Sequence, residues 1–250
     1  MIAKRLIPCL ILQGDRLIHL KKFEKETIRY VGDPINVINI FNDYAVDEII
    51  ILDIFATINK KINYNLLKKL TEEAFFPMSN GGGINNIDDA KKLINIGFEK
   101  IIINNQFNKN LQIIKECVTV FGSQSVILSL DLVYEDNHYY IYDHINKKIN
   151  RIKVQDLFLV IEDLGVGELM ICCVDKDGIM SGFDKNLIDI IKNKISMPLI
   201  YKGGLKTYDD IKIILNNNVD AISSSTLFIM KKKDGGIVLN YPSENFKESL

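Results

Sequence analysis

The chain has 250 residues, with 31 basic against 32 acidic side chains and a formal net charge of −1, which argues against an extended nucleic-acid footprint. It holds no apolar run of the ~18 residues a membrane span needs, and Met1 leads straight into a strand rather than a signal peptide. Cys9, Cys117, Cys172 and Cys173 lack metal spacing, so we expect no metal and reduced thiols in a cytoplasmic protein.

In chain order, the first apolar, β-branched run is 5–12, and a loop carrying His19 follows it. Further runs lie at 48–54, 76–80, 100–104, 126–132, 168–174, 198–202 and 220–224. Amphipathic stretches separate them at 35–44, 64–74, 88–96, 111–121, 154–164, 186–194 and 208–217. Near-continuous apolar strands alternating with helices predict a parallel sheet covered by helices. Eight such units predict a (β/α)8 barrel spanning 1–250, with an open doubly wound sheet as the alternative. Residues 135–151 predict a hairpin inserted after the fifth strand, and 231–250 a C-terminal tail without chemistry.

An internal repeat sharpens this reading. Gly82 to Asn104 is 22 residues, and so is Gly203 to Ser225; Asp53 to Gly82 is 29, and Asp175 to Gly203 is 28. Self-similarity at an offset of about 121 residues predicts two half-barrels, about 1–122 and 123–230.

Glycines carry the strongest chemical signal. Asn80-Gly81-Gly82-Gly83 follows strand three and Lys202-Gly203-Gly204 follows strand seven. At a strand's C-terminal end, such glycines let backbone N–H groups approach a phosphate. Asn104, and then Ser225 and Thr226, supply polar ends at matched spacing, with 226–230 as the short helix that often completes such a site. The bland alternative is that the glycines only make tight turns. Asp53, Asp131, Asp175 and Asp177 also end strands, where an acid faces a barrel's active site; capping of the next helix is the competing role. Asp131 is the candidate general acid or base, and its pseudo-symmetric counterpart, Ile11, offers no proton. His19, His138 and His144 read as solvated loop residues, and no triad, zinc spacing or dinucleotide fingerprint is present. At the opposite strand ends stand Arg5, Glu48, Lys100 and Glu168, either as a ring of salt bridges or as a gate.

Taken together, these residues resemble the cyclase subunit family of imidazole glycerol phosphate synthase. The matching segments are Ala3-Lys-Arg-Leu-Ile7 with Cys9-Leu10, Gly32-Asp33-Pro34, Asp47-Glu48, Leu52-Asp53-Ile54, Gly81-Gly82-Gly83-Ile84, Phe121-Gly-Ser-Gln124, Asp175-Lys-Asp-Gly178 and Ser181-Gly182. The resemblance implies a half-barrel repeat that binds a phosphorylated ligand, at Gly82, Gly83, Asn104, Asp177, Gly178, Gly203, Gly204, Ser225 and Thr226 here. It also implies a glutaminase docked at the N-terminal face, passing ammonia through a gate formed by Arg5, Glu48, Lys100 and Glu168, and no cofactor. The family's second catalytic aspartate falls on Asp131; its first falls on Ile11, two threonines on Asn105 and Ile179, and the loop-one lysine on His19. Those departures, with Leu6-Ile-Pro8-Cys-Leu10, Tyr30-Val-Gly-Asp-Pro-Ile-Asn36 and Leu239-Asn-Tyr-Pro-Ser243, are similar to the family's second-copy paralogue associated with glycosyl amidation. That likeness implies acetamidino modification of surface-polysaccharide sugars alongside an ATP-dependent amidotransferase. A working histidine-pathway cyclase and a non-catalytic activator of the glutaminase are the competing readings.

Overall fold

The computed structural model describes residues 4–250; Ala3, which opens the first matching segment, lies outside them. β1 (Arg5–Gln13) leads into a hairpin of β2 (Arg16–Lys21) and β3 (Glu24–Gly32). Then come β4 (Ile49–Asp53), β5 (Met78–Gly81), β6 (Lys100–Ile103) and β7 (Val126–Glu135). A second hairpin, β8 (His138–Asp143) and β9 (Lys148–Lys153), precedes β10 (Glu168–Cys173), β11 (Leu199–Lys202) and β12 (Ala221–Ser224). The ring β1–β4–β5–β6–β7–β10–β11–β12 returns to β1 with every pairing parallel, so the sheet is a closed barrel. Helices Pro34–Asp43, Tyr64–Glu73, Ile87–Asn95, Leu111–Phe121, Phe158–Asp163, Lys185–Ile191 and Tyr208–Leu215 connect the strands, as the amphipathic stretches predict. No described helix is long and apolar enough to cross a membrane.

Alternation along the strands places the cores. Leu6, Leu10 and Leu12 of β1 face the helices, whereas Ile7 and Cys9 join Ile50, Ile102, Ile127 and Met170 inside the barrel. On β10, Cys173 belongs to the outer core, while the thiol of its neighbour Cys172 lies 3.6 Å from Lys202 Nζ. Many helices start on a side-chain cap: Asp33, Asn63, Asn86, Asn110 and Asp184 each accept a backbone N–H of the first turn.

The half-barrel repeat is written in the backbone. Gly82 and Gly203 share φ +113, while Gly83 and Gly204 lie at +77 and +82. A hairpin follows each half's first strand, where sequence reasoning expects only the second. The first was legible: Gly14-Asp15 separates two apolar runs by two residues, which is a hairpin signal. Segment 226–230 is a correction too. It forms one turn, with Ile229 and Met230 N–H both donating to Thr226 C=O, and a Met230–Ile237 bridge then ends it. The tail packs back on the barrel, Tyr241 Oη donating to Leu6 C=O at 2.7 Å.

Candidate active site and charged mouth

At the C-terminal strand ends, a cleft opens over the first half-barrel. It gathers Gly82, Gly83 and Asn104 with Asp131, and adds Ile11, His144 and Lys202. The glycines have structural reasons as well as spatial ones. A Cβ on Gly82 would stand 2.1 Å from Asp53 C=O, and one on Gly83 would stand 2.8 Å from the Ala56 and Ile62 side chains. Asp53 itself caps a helix, its Oδ1 accepting from Phe55 and Ala56 N–H at 3.0 and 2.8 Å. Burial raises its pKa against those hydrogen bonds. For Asp53 the capping role holds. Asp175 is exposed and accepts from Tyr134 N–H at 2.8 Å.

The second half is built alike but closed. Gly203, Gly204, Ser225 and Thr226 are buried, and hairpin β2–β3 reaches Thr226 through His19. A Cβ on Gly178 would meet Leu20 C=O at 2.2 Å, and Lys22 N–H donates to Asp177 C=O. Asp177 Oδ1 holds Lys202 Nζ at 2.8 Å, with both side chains 2% exposed. Lys202 stands where the first half has Gly81, a position at which a Cβ would already meet the Ile102 and Leu52 side chains at 3.0 Å. Four polar atoms in this region, His19 Nδ1, Asp177 Oδ2, Ser223 Oγ and Ser225 Oγ, are buried without a protein partner. A narrow dent lies beside them, lined by Lys21, Arg29, Gly178, Thr226, Lys233 and Asp234.

Two histidines correct the sequence reading. His19 is on β2 and fully buried, its Nε2 3.2 Å from Thr226 Oγ1, and burial lowers its pKa. His144 follows β8 and turns into the cleft, Nδ1 3.0 Å from Asp131 Oδ2. Burial opposes charge on this ring, but the hydrogen bond and charge of Asp131, with Asp143, outweigh it and raise the pKa. Register across the hairpin brings His144 back to the end of β7, a placement that linear spacing does not display.

The opposite mouth carries an alternating ring. Arg5 reaches Glu48 at 2.7 Å and Glu168 at 3.0 Å; Lys100 reaches the same two at 3.1 and 2.9 Å. Ser79 Oγ donates to the remaining oxygen of Glu48 at 2.5 Å. Each charge meets two of opposite sign, which is how several ions are tolerated at a narrow, mostly buried site. Among the described residues, no cluster of three or more His, Cys, Asp or Glu could hold a metal ion.

A closed parallel barrel with a half-barrel repeat, an open cleft on one face and a charged ring at the other mouth defines the class: a two-fold (β/α)8 enzyme scaffold. The chain belongs to the histidine biosynthesis protein family, whose profile matches residues 5–233, and within it groups with the imidazole glycerol phosphate synthase subunit HisF relatives. One relative, from Pseudomonas aeruginosa and provisionally named imidazole glycerol phosphate synthase subunit hisF2, is 34% identical over 98% of each chain. Another, provisionally named subunit HisF of that synthase from Leptospira interrogans, is 32% identical over 100% of this chain and 99% of its own. The imidazole glycerol phosphate synthase subunit HisF of Staphylococcus carnosus is 32% identical over 96% of each.

Proposed function

We propose that this chain is the ammonia-receiving barrel subunit of a glutamine-dependent amidotransferase complex, with a glutaminase docked on its N-terminal face. The closed ring of Arg5, Glu48, Lys100 and Glu168 carries the reading. Between that ring and the cleft lies an apolar interior that includes Ile7, Ile50, Ile102 and Met170. Neutral ammonia enters such a column far more readily than a charged ion, which would lose its hydration without a partner. The cleft beside Gly82 and Asn104 supports a phosphorylated ligand. The acceptor we propose is a precursor for acetamidino modification of surface-polysaccharide sugars, made with an ATP-dependent amidotransferase. Ile11 supports this choice: it packs with Ile18 and Leu20 where cyclisation would call for an acid.

Lys100→Met tests the conduit. The variant should fold and bind glutaminase, yet change the ratio of nitrogen incorporated from amide-¹⁵N glutamine to that from free ammonium by at least several-fold. An unchanged ratio would favour a scaffold that only activates the glutaminase. The second reading, a histidine-pathway cyclase converting the phosphoribulosyl formimino-aminoimidazole carboxamide ribotide, is favoured by the Asp131–His144 contact in the cleft. Growth of a cyclase-deficient strain without histidine discriminates. With its glutaminase co-expressed, we expect this chain not to restore growth; robust growth refutes the sugar reading.

A further inference from the structure

We propose that His144, held through Nδ1 by Asp131, is the proton-carrying group of the cleft and that Asp131 is its positioning residue. The geometry is that of an acid–base pair. Asp131 is 6% exposed on the inner face of β7, and its Oδ2 lies 3.0 Å from His144 Nδ1. An ionised carboxylate only accepts, so it fixes the proton on Nδ1 and leaves Nε2 as the nitrogen open to a ligand. Two further contacts keep the ring there. Asp143 Oδ1 accepts from Ile145 and Asn146 N–H at 2.9 and 3.0 Å, which shapes the turn that carries His144. From the other hairpin, Phe23 meets the imidazole edge-on at 6.1 Å between centroids. The remaining charges around the ring are Asp143, which favours the imidazolium, and Lys109, which opposes it; Lys25 and Lys202 line the same cleft.

A structural pairing alone would not need its histidine in an open cleft, and the other acid of the lining, Asp53, is taken up by capping Phe55 and Ala56 N–H. Ile11, the pseudo-symmetric counterpart of Asp131, is 3% exposed and packs with Ile18 and Leu20. The position opposite Asp131 therefore carries no titratable proton.

The chemistry rests on the amination proposed above. As ammonia attacks an electrophilic carbonyl carbon, the C–N bond forms and the C=O π bond breaks, its electron pair moving to oxygen. That oxygen takes the Nε2 proton of the imidazolium. The neutral ring then removes a proton from the newly bonded nitrogen, so one proton passes from nitrogen to oxygen and the protein ends as it began. Asp131 stabilises the charged ring without being protonated itself.

The test uses the complex with its glutaminase, together with imidazole NMR of the full chain, which has only three histidines to resolve. His144→Gln should lower ¹⁵N transfer from glutamine by about 10²–10⁴, the range of a positioned acid–base group, with the complex still assembled. Asp131→Asn should displace the pH profile of transfer to lower pH. Wild-type transfer rates and an unmoved pH profile in both variants would overturn the proposal. If the wild type transfers no nitrogen, the amination reading fails and NMR decides the proton carrier alone. The pair then stands if the His144 titration midpoint falls in Asp131→Asn and its Nε2 signal responds saturably to inorganic phosphate. It is overturned if neither occurs.

Discussion

Replacing Lys202 with methionine should lower the unfolding free energy by about 3–5 kcal/mol, the loss typical when one partner of a buried ion pair is removed. Its ammonium and the Asp177 carboxylate are 2.8 Å apart and 2% exposed, with the Phe23 ring 5.7 Å from the nitrogen. Burial works against the charge on Lys202, but Asp177 and the neighbouring thiols outweigh it and hold the pKa well above the usual lysine value. Methionine fills much of the same volume, so the change isolates the charge. What remains is Asp177, whose Oδ2 already lacks a partner and whose Oδ1 would lose its only side-chain one. Adding Asp177→Asn to Lys202→Met should recover part of the loss, because the orphaned charge goes too. Chemical denaturation of the four proteins in the cycle gives the coupling. A single-variant loss below about 1 kcal/mol would show that water reaches the pair and that the upper barrel is not closed at this point.

Gly82→Ala should destabilise the barrel by about 3 kcal/mol or more, since it combines a glycine-only backbone with a collision. The residue sits at φ +113, and its new Cβ would lie 2.1 Å from the Asp53 carbonyl oxygen. Both atoms are backbone-held, so relief requires moving β4 against β5. Gly203→Ala should follow with a smaller loss, as its Cβ would stand 2.7 Å from Cys173 C=O. Gly14→Ala is the control: φ is +68 but no atom lies within 4 Å, which leaves only the left-handed backbone term of about 1–2 kcal/mol. The order Gly82, Gly203, Gly14 in thermal or denaturant unfolding checks the argument. If Gly82→Ala matched Gly14→Ala, the glycines would be explained by ligand approach alone.

Several of these features were readable in the chain. Strand–helix alternation, the 22-residue spacing in both halves and the apolar runs determine a parallel barrel, because burying both faces of a strand demands that composition. The ring residues were readable too, as charges at the entry of apolar strands must meet partners. His144 was not. It stands 13 residues from Asp131, and only the register of β7 against β8 folds that distance into a hydrogen bond. Lys202 likewise looked like part of a glycine turn, whereas closure of the barrel buries it against Asp177, 25 residues earlier. Which residues lie at each end of the barrel follows from the chain alone, since the period of a strand and the order of its units are local properties. Tertiary structure decided that the two halves differ. Hairpin β2–β3, its sides paired by local turns, reaches the second half through His19 to Thr226 and Lys22 N–H to Asp177 C=O, and Lys202 forms there a buried pair with Asp177 that Gly81 cannot form in the first. Which half stays open depends on contacts between segments distant in sequence, and those exist only once the ring has closed.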